Sequence, residues 1–249
     1  MAARSSSPVS ACRPNARRAR PWGPRAYGSS TVPCATIGSR SRYAASAPFH
    51  QIALVADGSE AIVSLATVRP ASVTAVVRER GFTSAEPTVA LTLALPVLRG
   101  DHDEEVVEAV TQLGASRIFP FTSARSVVRS LSEAKRTRWE RIAREAAETA
   151  RRGRVPTIEP MRAWNDLFAV LPAPVYVAWE GERHARLRDA LQETARALSV
   201  VIGPEGGIAE DEVALAREHG ATTVSLGGRN LRSETAAIAA VALVMDRLS

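Results

Sequence analysis

Three short runs rich in β-branched residues open the patterned part of the chain: residues 52–56 (IALVA), 61–68 (AIVSLATV) and 72–77 (SVTAVV). Asp57-Gly58 and Arg69-Pro70 separate them, so they read as strands of a small sheet joined by turns. Residues 81–86 are polar and turn-like and mark a domain boundary. Beyond it the pattern alternates. Residues 88–98 form an apolar strand, 104–113 have helical spacing that stops at Gly114, and 117–121 are strand-like again. A long helix follows over about residues 132–151, with Trp139, Ile142, Ala143, Ala146 and Ala150 on one face. Strands return at 175–179, 199–202 and 223–226, with helices between them and a last helix over 233–248. Such alternation predicts an α/β domain, a mostly parallel sheet flanked by helices on both faces.

Composition changes this picture mainly at the N-terminus. With 249 residues, 45% of them hydrophobic, the chain can bury a substantial core in one or two domains. No apolar run approaches the roughly 20 residues that span a bilayer, so no membrane association is expected. The net charge of +6 invites a nucleic-acid partner, but residues 1–48 hold eight arginines and no acidic residue, leaving 24 basic against 26 acidic positions in the remainder. That first segment is rich in Ser, Ala, Arg and Pro and lacks apolar periodicity, which predicts disorder. Its composition fits an organellar transit peptide as well as a mistaken start site or shifted frame in a GC-rich gene, where arginine has almost wholly replaced lysine. Both cysteines, Cys12 and Cys34, fall there, and His50, His102, His184 and His219 are scattered singly. Neither a disulfide framework nor a metal site is expected, and a reducing, cytoplasmic setting follows, or an organellar one if the segment is a transit peptide.

Candidate chemistry gathers near the C-terminus. Residues 200–207 read VVIGPEGG and residues 226–236 read LGGRNLRSETA. Each is an apolar strand running into a glycine-rich turn and a helix start, the arrangement that exposes backbone groups to a ligand at the C-terminal end of a strand. Taken singly, Gly203, Gly206 and Gly207 would also serve a tight turn, and Arg232 with Glu234 would also be a solvated pair at a helix start. Glu205 reads either as part of the turn or as a helix-start charge. A second basic region spans residues 125–154, with ten basic residues against four acidic ones. Most of these fit a solvated helix face with i,i+4 pairs such as Glu140 with Arg144.

The pairing of Ile-Gly-Pro-Glu-Gly-Gly with Leu-Gly-x-x-x-Leu-Arg-x-Glu-Thr-Ala resembles the C-terminal signature of the SPOUT methyltransferases, and more narrowly the family that methylates N3 of a uridine in 16S ribosomal RNA. The resemblance runs over most of residues 88–249, through Leu113-Gly114-Ala115, Arg125-Ser126-Val127, Arg138-Trp139 and Glu145-Ala146-Ala147-Glu148. It departs at Arg99, Asp101 and Glu108, in a stretch where the family usually carries lysines, at Thr149 where it has glutamine, and at Ile208 where it has leucine or an aromatic residue. It implies a SPOUT-type trefoil knot in residues 87–249, S-adenosyl-L-methionine as cofactor, and a homodimer. It also implies an N-terminal PUA-like β-barrel, of which residues 49–86 look like only the second half.

By the same resemblance Ile202, Gly203, Gly207, Leu226, Gly227, Leu231 and Arg232 line the cofactor pocket, and Arg125 and Arg152 hold the RNA backbone. Methylating N3 requires an unpaired base that loses its N3 proton, and a cation near O2 or O4 favours the resulting anion. Arg232 is the candidate for that role, and Glu234 either orients it or takes the proton. The implied partner is 16S ribosomal RNA within the 30S subunit. Alternatives are a SPOUT enzyme acting on another RNA nucleotide and a catalytically impaired RNA-binding paralogue. A Rossmann dinucleotide enzyme is disfavoured, because no GxGxxG follows the first strand of the alternating region.

Overall fold

A computed structural model describes residues 51–56, 59–69, 72–82 and 86–249. The segment 1–48 with both cysteines, the Asp57-Gly58 turn and Pro70 lie outside the described residues. The chain divides into two units, one running to Glu86 and taking in Arg151–Arg154, the other made of Pro87–Ala150 and Val155–Ser249.

In the first unit, β1 (Gln51–Ala56), β2 (Ser59–Arg69) and β3 (Ser72–Phe82) form an antiparallel sheet in that order. The β2–β3 register slips between Ile62 and Val63 and again between Leu65 and Thr67. Gly81 and Phe82 remain in β3, so the chain leaves this strand later than the glycine signal predicts. Glycine in an edge strand is tolerated when its partner supplies the ladder, here Glu60 opposite Gly81.

The second unit is built on a wholly parallel sheet. Its strands are β4 (Ala90–Pro96), β5 (Arg117–Thr122), β6 (Thr157–Ile158), β7 (Arg162–Ala163), β8 (Val175–Ala178), β9 (Ala197–Ile202) and β10 (Thr222–Val224). They lie in the order β10-β8-β9-β4-β5-β6, with β7 also on β5. Five helices connect them, α1 (His102–Leu113), α2 (Glu133–Thr149), α3 (Trp164–Leu167), α4 (Leu187–Ala190) and α5 (Glu210–Glu218), and α6 (Ser233–Leu248) follows the last strand. The two-residue strands β6 and β7 carry too little periodicity to be seen in the sequence.

Strand alternation sorts the core into two layers. Leu91, Leu93 and Leu95 of β4, Ile118 of β5 and Leu198, Val200 and Ile202 of β9 pack with α1, α2 and α6. Ala94, Phe119, Phe121, Val177 and Val201 face the other way, against Trp164 and Leu167 of α3 and Val213 and Ala216 of α5. The near-continuous apolar runs of β4 and β9 therefore belong to strands covered on both faces. Gly114 ends α1 at φ 115°, and a Cβ there would stand 2.5 Å from Pro87 Cγ, so no other residue fits without displacement.

The helix pair α1–α2 is fastened by charge as well as by the buried Trp139 and Ala143. Ser132 caps α2 by accepting the Lys135 N–H at 3.2 Å. Lys135, the chain's single lysine, then reaches the fully buried Asp103 at 2.7 Å and donates to the Gly100 carbonyl at 3.0 Å. Arg138 meets Glu104 at 2.7 Å. Burial pushes the Asp103 carboxyl above its ordinary value of 3.8, against the hydrogen bond and charge of Lys135. In a Lys135→Ala variant that carboxylate is left without its cation. The expected cost near neutral pH is about 2–3 kcal/mol, below the ~3–5 of a fully buried pair because Lys135 is 23% exposed. A raised folded-state pKa favours the protonated native form, so the variant's deficit in urea midpoint should shrink as pH falls toward the ordinary carboxylate range. A deficit that grows with acid would contradict this.

Candidate active site

Parallel strands bring their following loops to one edge of a sheet, and five loops meet at the C-terminal edge here. The loop after β9 holds the first glycine-rich stretch. Gly207 sits at φ 74°, and a Cβ on it would fall 2.2 Å from Glu180 Oε1, in the loop after β8. A Cβ on Gly203 would fall 2.8 Å from Ile208 Cγ1. These two glycines are therefore set by close approach as well as by turn geometry. Glu205 accepts the Arg99 N–H at 3.1 Å, which ties the loop to the one following β4. It lies outside the first turn of α5, so it is no helix-start charge.

The second stretch follows β10, whose C-terminal end lies on the far side of β8 from β9. Gly227 adopts φ 120° and exchanges hydrogen bonds with Ser225 Oγ. The two stretches meet at Ser233, the first residue of α6. Its hydroxyl donates to the Gly203 carbonyl at 2.8 Å, and the residue is buried. This single bond joins a carbonyl at the end of β9 to the start of the last helix. Ser233 stood unremarked inside the second motif in the sequence, where serine after arginine reads only as a helix-start residue.

The remaining candidates are placed as follows. Ile202 is buried at the end of β9, and Leu226 and Leu231 are half-buried. Arg232 precedes α6 with its side chain 82% exposed, 3.9 Å from the Glu234 carboxylate, which is 18% exposed. Arg125 donates to the Gly206 carbonyl at 3.2 Å from an exposed side chain, so it borders the first glycine loop. Arg152 belongs to the first unit and is unlike the exposed phosphate contact expected of it. Its side chain is 2% exposed and bridges Glu86 at 3.1 Å, while the Arg154 N–H binds the other Glu86 oxygen.

Two polar side chains at this edge carry no motif and were missed. Glu212, buried, accepts the Ala124 N–H at 2.7 Å and the Ala209 N–H at 3.1 Å, linking α5 to the loop after β5. Glu182, in the loop after β8, accepts N–H bonds from His184 and Ala185 and a hydroxyl bond from Thr223. Those bonds hold its carboxyl down at about 2. Arg217 adds to the same group, donating to Thr223 at 2.8 Å with its guanidinium 5.5 Å from the Trp179 ring centre. Glu182 gave no sequence signal beyond its place shortly after a strand, and Glu212 reads from sequence as one more acidic residue in the first turn of a helix.

The basic residues around α2 are largely committed within the fold. Lys135 and Arg138 pair with α1. Arg136 pairs with Glu140, so Glu140 faces back along the helix instead of forward to Arg144, and Arg141 pairs with Glu145. Arg129 donates to the Ala124 carbonyl. Among the described residues no group of three or more His, Cys, Asp or Glu could hold a metal ion. No described helix is long and apolar enough to cross a membrane.

A family model described as an RNA methyltransferase domain matches residues 84–245. This chain belongs to that family. The matched span of the RNA methyltransferase domain contains both glycine loops and leaves β1–β3 outside it. The Ribosomal RNA small subunit methyltransferase E of Bacillus subtilis is 32% identical over 199 residues, 76% of this chain and 78% of that protein. The crystal structure of a Ribosomal RNA small subunit methyltransferase E from Neisseria gonorrhoeae bound to S-adenosyl methionine superposes with a TM-score of 0.74 at 27% identity, covering 82% of this chain and 85% of that one. A Legionella pneumophila methyltransferase in complex with the same cofactor gives 0.70 at 25% identity, covering 79% and 83%.

If the Ser233 hydroxyl holds the two loops together, Ser233→Ala should lower stability by about 1–2 kcal/mol, since a half-buried carbonyl loses its partner. For a chain of this size that is a fall of roughly 2–8 °C in melting temperature. Amides of residues 203–207 should also exchange faster with solvent. Unchanged melting and unchanged exchange would show that the bond holds nothing.

Proposed function

We propose that this chain is an S-adenosylmethionine-dependent methyltransferase that methylates N3 of one uridine in 16S ribosomal RNA. The observation that supports the proposal is the Ser233–Gly203 bond, which brings together two glycine-rich stretches that resemble the uridine-N3 signature. Support comes from the small-subunit names of the relatives and from structural neighbours solved with the cofactor.

The residues present fit that cofactor. Gly203 and Gly207 keep side chains out of a crowded loop, and Gly227 has open space where a Cβ would stand. Ile202, Leu226 and Leu231 supply apolar walls, and exposed backbone groups can hold adenine and the methionyl portion without a large charged motif. S-adenosylmethionine supplies, when bound, a methyl group on a sulfonium that is already a good leaving group. The chain's own work is therefore positioning and charge stabilisation.

Among the described residues Arg232 is tethered by a 3.9 Å contact to Glu234, and its exposed side chain can reach the O2 or O4 edge of an extruded uridine. There its guanidinium stabilises negative charge on the base as the N3 proton departs. Glu234, more enclosed, orients that guanidinium; it is the second choice as proton acceptor, since a carboxylate is a weak base for this task. Arg125 spends one donor on Gly206 and keeps others for an RNA phosphate, guanidinium having five. Arg152 acts on RNA through the segment it anchors with Glu86.

The proposal carries with it a trefoil-knotted C-terminal region, a homodimer, the assembled 30S subunit as substrate and a cytoplasmic setting. It also takes residues 49–86 as part of a PUA-like β domain and residues 87–249 as the methyltransferase domain. The antiparallel β1–β3 sheet suits half of a small barrel.

The test is methyl transfer from labelled cofactor to 30S subunits lacking uridine N3 methylation. The expected product is N3-methyluridine at a single position, mapped by nuclease digestion and mass spectrometry. Arg232→Ala should bind cofactor within about threefold of the parent yet transfer methyl ~10²–10³ times more slowly, the usual effect of removing one charge-stabilising group. Parent-level turnover by that variant would remove Arg232 from the chemistry. Cofactor binding without any transfer by the parent would overturn the function.

A further inference from the structure

Against the second glycine loop lies a cavity of about 290 Å3, lined on that side by Ser225, Leu226, Gly227, Gly228 and Arg229. Arg186, Arg188 and Arg229 line it, with Leu187 and Leu243 of α6 among its apolar wall. It shares Leu226 and Gly227 with the proposed cofactor seat but is lined by neither Gly203, Gly207 nor Leu231, so it lies to one side of the loop pair. The two strands of backbone that frame it are locked together. The Leu187 N–H donates to the Ser225 carbonyl at 3.0 Å and the Ser225 N–H to the Ala185 carbonyl at 2.7 Å.

Its charge is unlike that of α2. There, most cations are neutralised within the fold. Here no acidic residue lines the cavity, and the Arg186 and Arg229 side chains make no hydrogen bond or ion pair with another described residue. Arg188 has a loose contact with Asp189 at 3.5 Å, both side chains being well exposed. Uncommitted guanidinium groups suit phosphate, which they bind with two parallel N–H bonds. Leucines beside them suit the face of a ribose or base, and the volume is near the ~300 Å3 lower bound for ligand pockets, room for one nucleotide unit.

The geometry points to a phosphodiester subsite: Arg186 and Arg229, with Arg188 at the margin, hold the RNA backbone next to the target nucleotide, one loop away from the methyl donor. This inference rests on the proposed RNA methyltransferase function and identifies where the strand is gripped. It adds to the proposed Arg125 contact a second grip on the RNA, on the segment 183–188, which reads RHARLR, and on Arg229 across from it.

The test is binding of a uridine-containing single-stranded RNA to the full chain, followed by fluorescence anisotropy over a range of salt. An Arg186→Ala/Arg229→Ala double variant should bind roughly tenfold or more weakly at low salt. Its plot of log K against log salt should be shallower by about 1.4, two contacts at ~0.7 each. Arg141→Ala, whose cation is paired with Glu145, should leave the slope unchanged, and an Arg186→Lys/Arg229→Lys variant should recover it. Cofactor affinity of the double alanine variant should equal the parent's. An unchanged salt slope overturns the subsite. So does a loss of cofactor affinity, which would make the cavity part of the cofactor seat, or a change of oligomeric state with RNA affinity intact, which would make it a subunit contact. The slope is read from binding alone. Failure of the parent to methylate 30S subunits would thus count against the function, while a parent that methylates and a variant that keeps its slope would count against this subsite only.

Discussion

The half-buried Gly203 carbonyl, just past the end of a central strand, is met by a donor from thirty residues further along the chain. The Ser233 hydroxyl on Gly203 settles where β9 stops, where α6 starts and how the two glycine loops face each other. α6 then buries Ala237, Ala240, Val241 and Val244 against the sheet layer that contains Leu198 and Val200. Its apolar face fixes the helix, and the helix holds the serine in place. Neither contribution would suffice alone: a hydrogen bond of about 1 kcal/mol is too weak to position a helix, and hydrophobic packing is too unspecific to place one hydroxyl.

Around that bond the loops are cross-linked by backbone groups accepted on carboxylates. Glu205 holds Arg99, Glu212 holds Ala124 and Ala209, and Glu182 holds His184 and Ala185. Charged acceptors on N–H donors are among the stronger hydrogen bonds, and they stiffen loops that would otherwise be free at the sheet edge. Rigid loops suit a reaction whose donor is already activated, because what the protein adds is placement. The cations follow a related division. Those near α1 and α2 serve the fold, while those beside the second glycine loop remain open to a polyanion.

The parallel sheet was legible because β4, β9 and α6 are long and strongly patterned, and the bounds expected for α2 and α6 lie within two residues of those observed. The pairs β6 and β7 were not legible, being too short for any period to register. The glycine loops could be read as a pair, since Gly203, Gly207 and Gly227 each occupy a position where a side chain would clash or the backbone turn left-handed. What tied them together could not, because a serine at a helix start has many possible acceptors and only the folded chain selects one. Arg152 looks like any exposed arginine until Glu86, far away in sequence, is seen beside it.

The central claim is that two chain segments, one with Ile202, Gly203 and Gly207 and the other with Leu226, Gly227, Leu231 and Arg232, form a single cofactor seat. Hydrogen exchange followed by mass spectrometry, on the parent chain with and without saturating S-adenosylmethionine, tests it directly. Joint protection of both segments, with the same cofactor dependence, is the predicted result. Protection confined to one of them, or appearing at neither while the cofactor binds elsewhere, would contradict it.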